Sequence, residues 1–396
     1  MRQPPAKPAI GRSGITRPRP TTPPAKPTET EKPLPSAASL LRVWWTKQVS
    51  ITPFGVGWWS FNPSIHYDRF DGAWRCVFRC ANYSLPGGVP HLSSEARQGR
   101  AATRNALALL DPRTLEIGPV REMRELDGRP RVPTCSSLGY EDMRLFRTER
   151  DGLCGIATGL QLNEERPSCP EMVFCRIDAA GDIVDAIPLR GPWSHRPQKN
   201  WSPFDGTAEP RLLYSIERGV IMSDKGPVIG APTPRPTWRS PTLASGTARG
   251  SSEVKVMGVQ PSAYHPPRPS KPSPGSSELR GGTQLVEIED NRWLGLAHEM
   301  KLKQPNRRKF YWHTFYTCDG WGRVTERSPP FKLSPQHGIE FAAGMAVDGR
   351  GGVAISYGTD DHDSWIGVTD LESVLRVLAP AAPRADPDCE DQPPSW

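Results

Sequence analysis

Residues 138–146 read LGYEDMRLF, in which a glycine turn and two acidic residues lead into a short apolar strand pattern. The same plan, a polar or charged cluster followed by a brief apolar run, recurs four more times. The other runs are FNPSIHY from Phe61, KNWSPF from Lys199, LRGGTQLVEI from Leu279 and IEFAAGMAV from Ile339. A plan that recurs roughly every 60–80 residues is typical of a repeat architecture.

A second apolar strand is predicted shortly after each of the five runs. These partners are WRCVFRCANY (74–83), GLCGIATGLQ (152–161), RLLYSIERGV (211–220), RWLGLAHEM (292–300) and GVAISYGTDD (352–361). Outer hairpins complete some units, and they pair Asn105–Leu110 with Leu115–Ile117, Met172–Ile177 with Ile183–Pro188, and Phe310–Thr317 with Gly322–Leu333. About four strands in each of five units predict an all-β fold, a five-bladed β-propeller.

Three segments have too little hydrophobic content and too much proline to build a core. We predict a disordered basic, proline-rich tail over residues 1–40 and a disordered acidic tail over 380–396. The propeller is then expected over 41–379, with a Pro/Ser-rich insertion at 224–278 that contains one candidate strand, EVKVMGV. The 45 prolines and 36 glycines of the 396 residues agree with a turn-rich β protein.

The net charge of +7 lies mostly in the first tail, since residues 1–38 carry seven basic and two acidic side chains. The rest of the chain is nearly neutral, which argues against a nucleic-acid partner. No apolar stretch is long enough to span a membrane. Because the N-terminus also lacks the apolar core of a secretory signal, we predict a cytoplasmic protein. The oligomeric state stays open.

The eight cysteines are interpreted as reduced and mostly buried, and no metal site or cofactor is predicted. Only Cys76 and Cys80 are closely spaced, and they lack a second pair. The alternating pattern of WRCVFRC places both on one face of a strand. No Walker A, GxSxG or HExxH pattern is present.

In a propeller the innermost strands line a central axis, so their polar starts should converge at one mouth. The residues brought together in this way are Asn62, Glu141, Asp142, Arg144, Lys199, Asn200, Arg280 and Glu340. A concave site with converging charged groups is where a ligand would bind.

The pair Glu141-Asp142 is the main candidate for chemistry. Neighbours on a regular strand point to opposite faces, so one carboxylate would face the axis unless a bulge intervenes. The other would then anchor the blade, for instance to Arg144. The alternative is an ordinary turn acid with a salt bridge.

Glycosyl transfer requires an acid for the departing oxygen or a base for the attacking group, and cations suit a phosphate. Candidate cations are Arg144, Arg166, Lys199, Arg211 and Arg280. Candidate aromatic floors for a sugar ring are Trp58, Trp59, Trp201, Trp312 and Trp365. His298 and His313 fall on strands of the fourth unit, where a satisfied structural histidine is the default. The run GTDDHD (358–363), which contains Asp361, is expected to shape the mouth or a turn.

The order NPSI, GYEDMRLF, KNWSPF, IEFAAGMA and ISYGTDDHDSWI resembles glycoside hydrolase family 130 and its glycosyltransferase relatives. The resemblance covers about residues 54–368 without the insertion, and Gly-x-Glu-Asp-x-Arg is its most specific motif. It implies a five-bladed propeller that acts on β-mannosides by phosphorolysis, inverting hydrolysis or mannosyl transfer. It also implies that Asp142 is the proton donor, supported by Glu141 and Arg144, with Asn62, Lys199 and Asn200 near the sugar or phosphate.

The chain departs from the family pattern at three places. Met143 replaces the proline of the motif, and Tyr214, Ser215 and Ile216 stand where the family has a phosphate-binding histidine. The arginines that follow the motif have Arg166 as their one counterpart. These departures favour glycosyl transfer over phosphorolysis.

The function predicted from the sequence is therefore inverting transfer of a glycosyl group, mannosyl by resemblance, by a glycosyltransferase or a glycoside phosphorylase, with Asp142 and Glu141 as catalytic residues. The expected partners are a sugar, sugar-phosphate or nucleotide-sugar donor and a glycan acceptor. The predicted substrate-binding residues are Asn62, Arg144, Lys199, Asn200, Arg280, His298, Glu340, Asp361 and Trp365. Two alternatives stay open. One is an inverting hydrolase that uses Glu340 or Asp361 as a second carboxylate, and the other is a propeller that binds glycan or protein without turnover.

Overall fold

The structure is a computed structural model. It describes residues 34–381 except 127, 129–137, 161, 163–168, 190–198, 218, 225, 228–278, 304–307 and 335–337. Five sheets of four or more strands and one two-stranded ribbon account for nearly all of its regular structure. The helices are short: α1 (Ala37–Leu40), α2 (Ser94–Arg97), α3 (Leu371–Arg376) and a 3₁₀ turn at Pro86–Gly88. The prediction of an all-β, five-bladed propeller is confirmed.

The first two blades each contain four antiparallel strands, which follow one another from the axis outward. After β1 (Trp45–Val49), blade 1 consists of β2 (Trp59–Tyr67), β3 (Trp74–Ala81), then β6 (Thr103–Leu110) and β7 (Ile117–Met123), with the ribbon β4 (Tyr83–Ser84) and β5 (His91–Leu92) between them in sequence. Blade 2 consists of β8 (Tyr140–Thr148), β9 (Gly152–Gly159), β10 (Glu171–Ile177) and β11 (Ile183–Leu189).

The remaining blades follow the same plan with shorter or additional strands. Blade 3 consists of β12 (Ser202–Pro203), β13 (Leu212–Ser215), β14 (Val220–Ser223) and β15 (Gly226–Pro227). Blade 4 consists of β16 (Arg280–Gly281), β17 (Val286–Glu289), β18 (Arg292–Lys303), β19 (Arg308–Cys318) and β20 (Val324–Arg327). Blade 5 consists of β21 (Glu340–Val347), β22 (Gly352–Thr359), β23 (Asp363–Asp370) and, outermost, β1, while β24 (Ala379–Pro380) joins the edge of blade 4.

The strand β1 closes the ring, because it comes from the start of the described chain and completes the last blade. It pairs antiparallel with β23, from Trp45 opposite Val368 to Val49 opposite Ser364. The two ends of the propeller sequence therefore share one sheet.

Five hydrophobic clusters fill the five interfaces between neighbouring blades. The cluster between blades 5 and 1, for example, contains Ile65, Phe78 and Ile366, all fully buried. Cys76 and Cys80 lie in the same cluster, on one face of β3 as predicted. Burial of each large apolar side chain contributes about 1.5–3 kcal/mol, so these clusters supply most of the stabilisation between blades.

The axis is filled along the middle of the inner strands. The fully buried amide of Gln284 donates to the carbonyl oxygens of Ile65 at 2.7 Å and Met345 at 2.6 Å. The main-chain N–H of Leu145 donates to the Ser64 hydroxyl at 3.0 Å. These bonds connect blades 1, 2, 4 and 5, so the central axis is packed at this level and the strand starts at one end form the mouth.

Two predicted segments differ in detail from the structure, and a third cannot be compared with it. The run 211–220, predicted as one strand, forms β13 and β14, because Gly219 at φ 61° reverses the chain between them. The edge strand β15 lies inside the segment predicted as an insertion. The candidate strand EVKVMGV lies outside the described residues. Among the helices that the structure describes, none is long and apolar enough to cross a membrane.

Candidate active site

Three inner strands have, close to their start, a polar residue in the left-handed backbone conformation. The φ angles are 47° at Asn62, 51° at Asp142 and 63° at Asn200. Strand pairing shifts register there, between Phe61 and Ser64 in blade 1 and between Glu141 and Arg144 in blade 2. Asn and Asp tolerate this conformation better than other residues with a Cβ atom. The two bulges place the side chains of Asn62 and Asp142 at the mouth, and Asn200 has the same backbone conformation in blade 3.

The bulge in blade 2 removes the alternation that would send Glu141 and Asp142 to opposite faces. Both carboxylates contact the guanidinium of Arg79, at 3.0 Å for Glu141 and 2.8 Å for Asp142. Arg79 also donates to the Tyr83 hydroxyl at 2.5 Å and lies over the Phe61 ring at 4.9 Å. The Arg79 side chain is almost fully buried, and its one positive charge is shared between two carboxylates.

Arg79 was missed in the sequence, where WRCVFRC drew attention to its cysteines. The signal available was a second arginine within an apolar run on the strand next to the axis. A buried arginine requires acidic partners, and the strand starts of the neighbouring blade supply them.

Asp142 is the most strongly held acid of the mouth. Its Oδ1 accepts from the Asn62 amide at 2.9 Å as well as from Arg79 at 2.8 Å. Burial favours the neutral form, but the charge of Arg79, the Asn62 hydrogen bond and the charges of Arg144 and Lys199 outweigh it. Together they lower the pKa of Asp142 to about 2. The side chain is therefore ionised at neutral pH.

Arg144 connects three blades beneath this pair. It is fully buried and donates from Nε to the Gly282 carbonyl at 2.8 Å and from Nη2 to Asn200 Oδ1 at 2.8 Å. Its bond to Asp142 goes to the main-chain oxygen, at 3.2 Å. The sequence predicted an ion pair between Arg144 and one carboxylate of Glu141-Asp142. Arg144 instead contacts the main chain of Asp142, because both carboxylates pair with Arg79. Burial lowers the pKa of Arg144 to about 10, so it keeps its charge at neutral pH.

Asp361 reaches the mouth from the turn between β22 and β23. Asp360 and Asp361 both adopt left-handed φ angles, 50° and 45°, as a tight hairpin turn requires. The Asp361 carbonyl accepts from the main-chain N–H of Leu85 at 3.4 Å. Burial raises the pKa of the Asp361 carboxyl and the charges of Asp142 and Glu141 raise it further, against the opposing charge of Arg79.

His298 and Arg280 face each other across β16 and β18. The His298 ring is buried against Tyr311 at 5.5 Å and Phe341 at 5.3 Å between ring centroids. Burial, with the nearby charges of Arg280 and Arg144, holds the pKa of His298 well below its usual value. The imidazole is therefore neutral, and its Nδ1 has no hydrogen-bond partner among the described residues.

Cations outnumber carboxylates in this group. The cations near these acids or near His298 are Arg79, Arg144, Lys199, Arg280 and Lys309. The carboxylates are Glu141, Asp142 and Asp361. With His298 neutral, the described residues of this group carry more positive than negative charge, which suits a ligand with a phosphate or another anionic group.

Two predicted binding residues lie elsewhere. Glu340 is fully buried between blades 4 and 5, where Lys332 Nζ lies 3.3 Å away and the Leu333 N–H donates at 2.8 Å. Trp365 packs within blade 5, stacked on Tyr357 at 6.5 Å between ring centroids. Neither contacts the group around Arg79 in the part of the chain that the structure describes. The candidate cation Arg166 lies outside the described residues.

His313, which like His298 was expected to be a satisfied structural histidine of blade 4, does not fulfil that description. His313 is fully buried, and neither ring nitrogen has a hydrogen-bond partner among the described residues. Its Nδ1 lies 3.7 Å from Glu340 Oε2, beyond hydrogen-bond distance. Burial lowers its pKa to about 3, so the ring is neutral.

No family model and no curated protein matches the sequence. Among solved structures, β-1,2-mannobiose phosphorylase from Listeria innocua is 12% identical over 83% of this chain and 95% of its own, with a TM-score of 0.44. A mannose phosphorylase from Leishmania mexicana, in complex with phosphate, is 12% identical over 85% and 91%, with a TM-score of 0.43. A third structure, whose name cites the GH130 family of mannoside phosphorylases, is 12% identical over 86% and 94%, with a TM-score of 0.47. These values are too low to carry a conclusion about what this chain does.

Proposed function

We propose that this chain is a carbohydrate-active enzyme that transfers a glycosyl group with inversion at the mouth of the propeller. The observation that carries the proposal is the ionised Asp142, held by Arg79 and Asn62 among an excess of cations. A mannosyl group is the one that the sequence resemblance implies. The cytoplasmic location stays a prediction.

The pKa of Asp142 supports one of the two roles that a carboxyl can have in this reaction. A carboxyl with a pKa of about 2 is ionised at neutral pH, which supports a role as the base rather than the role of proton donor that the resemblance implies. We therefore assign Asp142 to the bond-forming side. The acceptor hydroxyl attacks C1 of the sugar from the face opposite the leaving group, and its proton passes to Asp142 as the new bond forms.

The other residues of the mouth position this carboxylate and the donor. Arg79 and Asn62 hold one oxygen of Asp142, which leaves the other oxygen for the acceptor. Lys199, Arg280 and Lys309 supply positive charge for a phosphate of the donor. Burial and the charge of Asp361 raise the pKa of Tyr311 to about 12, so its hydroxyl stays protonated and can donate to a sugar oxygen.

A donor panel tests this function. The chain is incubated with mannose 1-phosphate, GDP-mannose or other nucleotide sugars in the presence of mannose and mannoside acceptors, and products are identified by mass and anomeric NMR. The proposal predicts turnover of a phosphorylated donor and a product with the opposite anomeric configuration. Release of free sugar without an acceptor would instead identify a hydrolase, for which Asp361 is the second carboxylate at the mouth.

Two further measurements distinguish the proposed glycosyl transfer from phosphorolysis and from binding without turnover. A β-mannoside incubated with inorganic phosphate yields a sugar phosphate only if phosphate is the attacking group. Calorimetric titration with mannosides and sugar phosphates detects binding without turnover. Binding with no turnover of any donor would replace the proposed enzyme by a glycan-binding propeller.

A further inference from the structure

We propose that Tyr83 is a positioning residue of the mouth, which fixes the orientation of the Arg79 guanidinium and thereby the place of the Asp142 carboxylate. This inference rests on the proposed glycosyl transfer and explains how one cation can hold two acids in defined places. Tyr83 lies on β4 of the two-stranded ribbon and not on an inner strand, so the pattern of polar strand starts does not include it.

The hydroxyl of Tyr83 closes a triangle of contacts with Arg79 and Glu141. It accepts a hydrogen bond from Arg79 Nη2 at 2.5 Å and donates one to Glu141 Oε1 at 3.4 Å. Glu141 Oε1 lies 3.0 Å from the same nitrogen of Arg79. Burial raises the pKa of Tyr83, so the phenol keeps its proton at neutral pH and makes both contacts at once.

The contacts of one guanidinium nitrogen decide where the other nitrogen points, because the group is planar and rigid. Nη1 of Arg79 donates to Asp142 Oδ1 at 2.8 Å. Nη2 contacts the oxygens of Tyr83 and Glu141. The Phe61 ring lies under the guanidinium at 4.9 Å, and a flat aromatic face does not select a direction within the plane. The three oxygens therefore fix that direction, and the Tyr83 oxygen is the nearest of them to Arg79.

The ribbon that carries Tyr83 is fastened to the propeller on both sides of this residue. Asn82, directly before Tyr83, is fully buried, and its amide donates to the Arg100 carbonyl at 2.9 Å. Directly after Tyr83, the Ser84 hydroxyl forms a hydrogen bond of 3.2 Å with His362 Nδ1 in the hairpin turn of blade 5. Tyr83 thus stands between two anchored residues, and its hydroxyl is a fixed reference point for the guanidinium.

Loss of the phenol should release the guanidinium to turn toward Glu141, its other partner at Nη2. Asp142 would then lose the fixed partner of its Oδ1, and its second oxygen, assigned to the acceptor proton, would lose its alignment. A misplacement of about 1 Å at a reacting group can cost about 10²-fold in rate. Donor binding should change little, because Lys199 and Arg280 supply the charge for its phosphate. The expected signature is a lower kcat with an unchanged KM.

The test is Tyr83→Phe, which keeps the ring and removes the hydroxyl alone. We expect kcat to fall about 10- to 100-fold, with KM within about threefold of the unaltered chain. Nitrogen-15 NMR of the arginine side chains gives a reading independent of activity, with the Arg79 signals identified by their absence in Arg79→Lys. In the unaltered chain Nη1 and Nη2 of Arg79 should give separate signals, and these should merge in Tyr83→Phe as the guanidinium becomes free to rotate.

Tyr67→Phe is the matched control, because it removes a tyrosine hydroxyl at the end of β2 away from the mouth. The Tyr67 ring packs there against Trp74, at 5.5 Å between ring centroids. This variant should keep kcat, KM and the separate Arg79 signals. Thermal unfolding of the unaltered chain and the variants shows whether each is folded.

The outcomes that oppose the inference are distinct from a failure of the proposed function. An unchanged kcat in Tyr83→Phe, a loss that appears only in KM, or Arg79 signals that stay separate would each overturn the role of Tyr83 alone. An equal loss of kcat in Tyr67→Phe would do the same. No turnover of any donor by the unaltered chain would overturn the proposed function, while the Arg79 signals would still show whether Tyr83 orients the guanidinium.

Discussion

Two carboxyl groups at the starts of inner strands, Asp142 in blade 2 and Glu340 in blade 5, have opposite electrostatic surroundings. Asp142 has 18% of its side chain exposed and contacts a guanidinium and an amide. Glu340 is fully buried with one lysine and a main-chain N–H. Burial outweighs these partners and raises the pKa of Glu340 to about 7, whereas cations lower the pKa of Asp142 to about 2. Acidic residues near the starts of two inner strands therefore serve different purposes, one at the mouth and one in the interface between blades.

The pKa of Asp142 is lowered, whereas the pKa of Glu340 is raised. The stability that the two carboxyl groups contribute therefore changes with pH in opposite directions. The lowered pKa of Asp142 contributes stability that is present above the ordinary aspartate pKa and is lost as pH falls toward about 2. The raised pKa of Glu340 contributes stability that is present below the ordinary glutamate pKa and is lost as pH rises through about 7. Variants at the mouth and variants at the interface should therefore differ in both the size and the pH dependence of their effects.

Removal of the cation at the mouth should have the largest effect on stability. Arg79→Met leaves Glu141 and Asp142 almost buried without their partner, and breaking such a pair costs about 3–5 kcal/mol of unfolding free energy. Urea denaturation measures this loss. Arg104→Met is the control, since Arg104 is exposed and pairs with an exposed Glu122 at 3.5 Å, and its loss should cost less than about 1 kcal/mol. Equal costs for the two variants would contradict the account of the mouth.

The interface carboxyl should control stability between pH 5 and 8. In the unaltered chain, the unfolding free energy should fall by up to about 3 kcal/mol as pH rises through that range, because Glu340 must ionise while buried. Glu340→Gln cannot ionise, so its stability should change much less over the same range. Urea denaturation at several pH values measures both slopes. Parallel slopes would show that Glu340 is not the group responsible.

The propeller was predictable from the sequence because each repeat contains a polar strand start and apolar strands. Both features can be recognised from the local alternation of polar and apolar residues. The strand β1 was not recognised, since the sheet that contains it is formed by residues more than 300 positions apart, such as Trp45 and Val368. Asn62, Asp142 and Asn200 were found as polar starts, but their shared left-handed backbone was not. The pairing of Arg79 with Asp142 and the burial of Glu340 result from the packing of neighbouring blades. A local sequence pattern carries no information about that packing.

Close packing at the mouth gives a smaller effect. A Cβ atom added at Gly358 would lie 2.0 Å from Asn62 Oδ1, so Gly358→Ala must displace the amide that holds Asp142. We expect a cost of about 1–3 kcal/mol in unfolding free energy, with a loss of turnover. Gly349→Ala is the control, because a Cβ there has no atom within 4 Å. If the two alanine variants are equally active and stable, Asn62 does not position Asp142.

The smallest effect is expected at the buried histidine of the interface. His313 is neutral, and its ring nitrogens make no hydrogen bond with a described residue, so an aromatic ring without nitrogen should replace it with little loss. His313→Phe should change the unfolding free energy by less than about 1 kcal/mol at pH 7. A loss of several kcal/mol, measured by urea denaturation, would mean that the ring has a polar role in this interface.

The most direct test of the account is the turnover number of Asp142→Asn with the donor that the unaltered chain uses. Asparagine keeps the shape and the neighbours of Asp142 but cannot take up the acceptor proton, so we predict a loss of about 10²–10⁴-fold. Binding of the donor, followed by calorimetry on the same protein, should stay within about tenfold, because the cations are intact. A variant that turns over the donor at a rate close to that of the unaltered chain would contradict the catalytic role of Asp142.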